Sequence, residues 1–526
     1  MISVGCYRLA FGVSLRQTEN DGMVAVCNYP LRVVSLNPVL ARLLLLCTEE
    51  HTCEQLAVLM HMPLKRIEAL CDQLHWKSLL EAGAVAPLVV WPNVSIVIPS
   101  YNRAKVLERC LHALFVLKYP HNLIEILVVD DASTDTTCVM LQRLMQEAEA
   151  YEVQLRSVSH EKRQGVAISR NTGAEASTHD FIAYIDSDCV ASPSWLTELV
   201  PHFQDQRIVA VGGMIRGYEC QGMLSYYEDV CSSLYMGTRF QQVRLEGPLT
   251  YLPTANLLIR RSIWQHLDGF APLTQGEDVD FCRRILLTGA HIRYVPQGVV
   301  YHDYRTTIKS FLKIRVAYAS AEAALLQRHP TERRVLILPP AQAAFAGLIL
   351  SSVWGLVCAM CFGRRKQSKQ RGHWRNSERQ PHSFVYACMS FGTIVAALFI
   401  VLHGTRYHMR KIHKQRIPIH PLTVFKATLR GHLAYMYHLF RHLTRYYTLP
   451  LVFLGITLFP LIILIVIILC VVLSVDYIRF KPKMSIVEYA LCAFFSDCAY
   501  EVGVVQGCIK YRTWKPLMPI IRKHVR

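Results

Sequence analysis

The sequence predicts an α/β body built on a mostly parallel sheet. A small winged-helix-like module precedes it and a helical membrane region follows. Three observations carry this reading. Residues 1–88 run from short strand-like pieces into three helical stretches. Residues 92 to about 304 alternate apolar strand-like runs with helical spacing. Everything after residue 334 is dominated by long uncharged apolar stretches. The boundaries expected are 1–88, 89–334 and 335–526.

The charge is divided in the same way. The chain has 526 residues, 57 Lys+Arg against 39 Asp+Glu, and a formal charge of +18. Residues 335–526 hold 25 basic and 5 acidic side chains, which leaves 32 basic and 34 acidic for residues 1–334. The excess therefore sits beside the apolar stretches, where it suits anionic lipid. It is no sign of nucleic-acid binding, and no nucleic-acid partner is expected. A hydrophobic share of 52% excludes disorder and collagen-like repeats. The 18 Cys are scattered singly. Cys358 and Cys361 lie inside an apolar stretch with no second pair or His partners, so buried free thiols in a reducing compartment are expected. No basic segment leads into an apolar core at the start, so no signal peptide is expected.

In the first module, Ser35-Leu36-Asn37-Pro38 opens a helix with Leu40, Leu43 and Leu44. Thr52-Cys53-Glu54-Gln55 reads as a capping box before a second helix. After Met62-Pro63 a third helix places Ile67, Leu70 and Leu74 on one face. Glu49, Glu50, Glu54, Glu68, Asp72 and Glu81 deny the module a basic face, so peptide binding or packing fits it better than DNA.

In the α/β body, Val94–Ile98 is a buried-strand run closed by Pro99, followed by helical spacing from Lys105 to Val116. Ile126–Val129 ends at Asp130-Asp131, and Phe181–Ile185 ends at Asp186-Ser187-Asp188. Acidic residues thus follow the C-terminal ends of two strands, where open α/β sheets bind ligands. Asp186 and Asp188 are costly to bury without a cation, which points to a divalent ion such as Mg²⁺ or Mn²⁺. On an extended chain Ser187 points the other way. Asp130 and Asp131 can accept from a base or ribose, or cap the next helix. Gly276-Glu277-Asp278-Val279-Asp280 leads into a helix; the helix dipole favours acids there, and crowding suits one of them to act as a base. His302 ends another apolar run, as a metal ligand, a donor to phosphate or a structural histidine. Neither a P-loop nor a G-x-G-x-x-G motif occurs.

The tail carries apolar stretches at 341–362, 383–402 and 449–475, each long enough to span a bilayer. Pro460 could kink the third. Basic runs at Arg364–Arg371 and Arg406–Arg416 flank the middle stretch on both sides, so one of the first two stretches is open to a re-entrant or interfacial reading. Residues 408–447 suit a helix lying on an anionic surface.

Six motifs in series resemble the family 2 glycosyltransferases: VSIVIPSYNR (94–103), ILVVDDASTD (126–135), RQGVAISRNTG (163–173), YIDSD (184–188), LPTANLLIRR (252–261) and GEDVDFCRR (276–284). The resemblance implies a GT-A fold and an inverting mechanism. It implies a nucleoside pocket of Pro99, Tyr101 and Asp131 with Asp130 in support. Gly165, Arg170 and Asn171 would frame the sugar-nucleotide cleft. Asp186 and Asp188 would bind diphosphate, Asp188 through a Mn²⁺ or Mg²⁺ ion. Asp278 would be the catalytic base with Glu277 beside it. Asn256 on the acceptor side and His302 at the metal complete the implied set. Ser169 is a small departure, where relatives often have Ala.

A narrower resemblance rests on YPLRVVSLNPVLARLL (29–44) and HDYRTTIKSFLKIRVAYASAEAALLQRHP (302–330). These are similar to mycofactocin system glycosyltransferases, which carry a PqqD-like module and a hydrophobic tail. That likeness implies transfer of glucose from UDP- or GDP-glucose to a peptide-derived redox cofactor or its precursor. It also implies a place on the bacterial cell membrane with the catalytic domain cytoplasmic. A processive polysaccharide synthase is the nearest alternative, but its Q-x-x-R-W motif is absent. A scaffold with a dead transferase domain is disfavoured by the intact acids at 186, 188 and 278.

Overall fold

The computed structural model describes residues 6–523 apart from 19–21, 29–30, 83–87, 89, 248, 332–333, 363–380, 415–416 and 418. The chain opens with β1 (Cys6–Leu9), β2 (Val13–Gln17), β3 (Met23–Asn28) and β4 (Leu31–Leu36). Next come α1 (Pro38–Leu46), β5 (His51–Thr52), α2 (Cys53–Met60), α3 (Leu64–Trp76) and β6 (Leu80–Ala82). The helix starts fall where the caps put them. Asn37 accepts from the Leu40 N–H, and the Thr52–Gln55 capping box is formed in both directions. β5, β1 and β6 make one small sheet, and β2, β3 and β4 another. Leu43, Leu44, Leu56, Ile67 and Leu74 fill the core between sheets and helices.

The α/β body follows: β7 (Val94–Ser100), α4 (Ala104–Phe115), β8 (Ile124–Asp130), α5 (Thr137–Glu149), β9 (Gln154–Ser159), α6 (Val166–Ala176) and β10 (Phe181–Ile185). It continues through β11 (Cys189–Ala191), α7 (Trp195–Leu199), β12 (Ile208–Gly217), α8 (Met223–Cys231), β13 (Gln241–Gln242), β14 (Asn256–Arg260), α9 (Arg261–His266), α10 (Glu277–Leu287) and β15 (His291–His302). The strands form one nine-stranded sheet in the order β11-β15-β12-β14-β10-β7-β8-β9, with β13 on β15.

The sheet is mixed, not mostly parallel. β10, β7, β8 and β9 are parallel, but β14 runs antiparallel to both β10 and β12. Successive residues of β7 serve opposite faces, as a pleat requires. Val94, Ile96 and Ile98 pack with α4 and α5, whereas Val97 packs with α6 and α10. Helices on both faces leave the C-terminal strand edges open above the sheet.

The tail comprises α11 (Ile308–Arg328), β16 (Val335–Ile337), α12 (Pro340–Phe362), α13 (Pro381–Lys414), α14 (Pro421–Tyr446), α15 (Thr448–Thr457), α16 (Phe459–Phe480), α17 (Ile486–Lys510) and β17 (Ile520–Arg522). Among the described residues three helices are long and apolar enough to cross a membrane: Pro340–Cys361, Phe384–Lys414 and Pro460–Phe480.

Two expectations are corrected here. The stretch 449–475 is not one helix: the chain turns at Leu458, and Pro460 stands in the first turn of α16, where its missing N–H costs nothing. Residues 408–447 are not one surface helix either. Arg406, Arg410, Lys411 and Lys414 extend α13, and α14 begins afresh at Pro421. α14 packs inward through Val424, His432, Phe440 and Tyr446. The basic run 364–371 lies outside the described residues.

α11 lies along α17, and the contact is close enough that a side chain at Gly503 or Gly507 would collide with the carbonyl oxygens of Val316 and Ser320. β3 presents Val24 and Val26 to Ile412, Ile417, Ile419 and Val424, so the first module touches the tail as well.

Candidate active site

A cavity of about 540 Å³ opens at the C-terminal ends of β7, β8 and β10. Its walls include Pro99, Tyr101, Asp131, Gly165, Arg170, Asp186, Asp188, Glu277, Asp278 and His302. Ten of the thirteen residues singled out from the sequence therefore meet in one cleft.

The β8 edge supplies the first wall. Asp131 Oδ1 accepts from the Gln164 N–H at 2.7 Å and faces His160 Nδ1 at 2.8 Å, while Oδ2 accepts from the Gly165 N–H at 2.8 Å. Burial alone would raise this carboxyl, but these hydrogen bonds hold it below the usual range. Gly165 caps α6 with φ +96°, a conformation that side chains rarely adopt. Arg163 stacks over the Tyr101 ring at 4.3 Å.

Arg170, on α6, links the two acidic motifs. Its guanidinium donates to Glu277 Oε1 at 2.6 Å and to Asp186 Oδ1 at 2.7 Å, and it is 3% exposed. Residues 186–188 are a turn closed by the Cys189 N–H on the Asp186 carbonyl at 3.0 Å. Ser187 consequently lines the cleft with its neighbours, contrary to the extended-chain expectation.

Asp188 is paired with Arg103 through Oδ2, and its Oδ1 lies 3.5 Å from His302 Nε2. Burial would raise Asp188, yet the neighbouring His302 ring and the guanidiniums of Arg103 and Arg305 hold it low. Ligand atoms of Asp188, Cys189 and His302 lie within 4.8 Å of one another. His302 Nδ1 is buried without a partner. Burial pushes the Cys189 thiol well up, which keeps it protonated and leaves carboxylate and imidazole as the donors. That pair suits a divalent ion of the Mn²⁺ type.

Asp278 stands in the first turn of α10, its Oδ1 accepting from the Val279 N–H at 2.7 Å. Burial, with Glu277 adding to it, pushes its carboxyl up to about 7. The third acid of the motif does something else. Asp280 is fully buried and receives Arg284, Arg328 and His329 at 2.8–2.9 Å, which ties α10 to the end of α11.

Three singled-out residues lie outside the cleft walls. Asp130 accepts from the Ser133 N–H at 3.2 Å and serves the turn after β8. Asn171 is turned to the far side of α6, where its amide holds both the N–H and the carbonyl of Phe270 at 2.8 Å. Asn256 is fully buried and binds Trp195, Met214 and Gly298. Both asparagines brace the scaffold.

Other wall residues carried no sequence signal of function. Arg103 and Arg305 sit within quoted stretches, but nothing in spacing marks them as partners of Asp188. Glu228, Tyr251, Tyr318, Arg445 and Tyr500 come from five separate places in the chain and meet only in three dimensions.

Residues 95–267 match the model of the family described as Glycosyl transferase family 2. The chain is 32% identical over 284 residues to the pre-mycofactocin glycosyltransferase of Mycobacterium tuberculosis, covering 52% of this chain and 57% of that protein. It is 28% identical over 216 residues to the glycosyltransferase AglE of Haloferax volcanii, covering 41% of this chain and 68% of that one. The chain thus spans only a little over half of the first of these relatives. The mannosyltransferase PcManGT of Pyrobaculum calidifontis, solved with GDP-Man and Mn²⁺, is 15% identical with a TM-score of 0.37, covering 66% of this chain and 90% of that one. The matched residues run from β7 to the loop after α9, through the strands that carry Asp131, Asp186 and Asp188. Residues 95–267 are a glycosyltransferase family 2 domain set within a longer mixed α/β body.

Proposed function

We propose that this chain is a membrane-associated, inverting glycosyltransferase that moves a hexose from a nucleotide sugar to a hydroxyl acceptor. The observation that carries this is the Arg170 bridge. One buried guanidinium holds Asp186 and Glu277 together, so the strand-end acids and the first turn of α10 share a cleft.

The donor nucleoside lies against Pro99, Tyr101 and Asp131, with Gly165 permitting close approach of the α6 N-terminus. Asp188 and His302 would hold a divalent ion, which supplies positive charge to the departing diphosphate. Arg103 and Arg305 add cationic character on the same side. Asp278 takes the proton of the acceptor hydroxyl; a carboxyl pushed up to about 7 is matched to that task. The oxygen then bonds to the anomeric carbon from the face opposite the diphosphate, and the bond to the diphosphate breaks. Glu277, fixed by Arg170, keeps Asp278 in place and raises its basicity.

Pre-mycofactocin or a related peptide-derived cofactor as the acceptor is supported by the 32% identity to the Mycobacterium tuberculosis enzyme of that name, and glucose as the sugar rests on the motif resemblance alone. We read residues 1–88 as a PqqD-like peptide-binding module, and the chain as bacterial with its α/β body on the cytoplasmic face. Membranes carrying the chain, given Mn²⁺ and labelled UDP-glucose or GDP-glucose, are expected to label a pre-mycofactocin acceptor. Loss of labelling in both Asp188→Ala and Asp278→Ala is expected. Acceptor-independent polymer would mark a processive synthase instead.

A further inference from the structure

A second cavity of about 230 Å³ adjoins the cleft on the side of the C-terminal helices. Ser232, Ser233, Tyr318, Arg445 and Tyr500 line both, so the two form one chamber. Its charges are almost all spoken for. Arg170 pairs with Asp186 and Glu277, Arg315 with Glu228, and Arg441 with Asp497 and Asp476. Arg163 and Arg305 in the cleft and Arg445 at the junction form no ion pair with a carboxylate among the described residues, and of these three Arg445 is the one that lines both cavities.

Its position is nevertheless built. The guanidinium lies 4.0 Å from the centroid of the Tyr500 ring. The Tyr500 hydroxyl donates to Glu322, which also receives the Tyr446 hydroxyl at 2.7 Å. Arg334 in turn stacks on the Tyr446 ring at 3.5 Å. A half-buried guanidinium held by an aromatic face, in the wall shared by two cavities, is arranged to take a carboxylate or phosphate. Tyr318 lines both cavities and Tyr251 shares the cleft wall with Asp278, so the junction is continuous with the reacting end.

We propose that Arg445 binds an anionic group, carboxylate or phosphate, on the acceptor while the acceptor hydroxyl lies at Asp278, making α14 and α17 part of the substrate site. This rests on the transferase reading above.

The test uses the full chain in neutral nanodiscs with the donor site filled by excess UDP and Mn²⁺. Four probes are titrated: glucuronate, glucose, octyl β-glucuronide and octyl β-glucoside. At least tenfold tighter binding of a glucuronate probe than of its neutral twin is expected. Arg445→Gln should abolish that preference and Arg445→Lys should restore part of it. Both variants should keep wild-type UDP affinity, which reports an intact fold. Preference for the octyl form assigns a membrane-borne acceptor, and equal affinity a soluble one. No preference for the anions, or a preference that survives Arg445→Gln, overturns the proposal. Failure to bind UDP or GDP overturns the transferase reading instead, and the same titration without nucleotide still decides Arg445.

Discussion

Asp278 and Asp280 are two residues apart on one helix and have opposite fates. Asp280 meets two arginines and the His329 ring, and these contacts hold it low against its burial. Asp278 meets no cation of its own and is held high. A base of this kind works when deprotonated, so turnover should climb as pH rises through about 7 and then level off. Asp278→Asn should flatten that profile and lower kcat by roughly 10²–10⁴-fold. The same raised pKa disfavours the folded state once pH exceeds the ordinary carboxyl value, with the effect complete above about 7. Asp278→Asn should therefore melt a few degrees higher than wild type at pH 8, a gain that shrinks toward pH 4. The sequence named both acids within one cluster. It could not divide them, because the division depends on Arg328 and His329, nearly fifty residues away.

At the scale of elements, strand ends and helix caps were legible because their causes are local. The capping box at Thr52 and the acids after β8 and β10 need only their neighbours. The antiparallel β14 was not legible, since strand direction depends on which edge a distant segment joins. Asn171 and Asn256 were misread for a related reason: an amide beside a cleft motif can face either way, and both are used inside. Two element-level changes follow. Gly165→Ala should cost about 1 kcal/mol or more, because φ +96° strains any side chain, and should weaken nucleotide binding several-fold by titration. Gly503→Val should wedge α17 from α11 and lower the melting temperature in detergent, with a larger rise in acceptor KM than in donor KM.

For the whole molecule, the surplus of positive charge belongs to a tail with three helices able to span a bilayer. If they do span, the chain should stay in the membrane pellet through 1 M salt and alkaline carbonate, treatments that strip proteins held by charge alone. The tail's apolar lengths were plain in the sequence, but its part in the cleft was not. Arg445 and Tyr500 lie more than 150 residues beyond Asp278 and share its cleft only because α17 folds back along α11 and α14 packs on α17.

The clamp on Asp280 has a mechanical consequence. It locks the helix bearing the base to the C-terminal end of α11, and α11 is in turn seated on α17. A 21-residue helix is a strut of about 30 Å. The distance from Asp278 to α17 is then a fixed dimension of the chain, like the gap of a caliper. On the proposed reading, an acceptor held at Arg445 would be selected by how far its hydroxyl stands from its anionic group as well as by its chemistry.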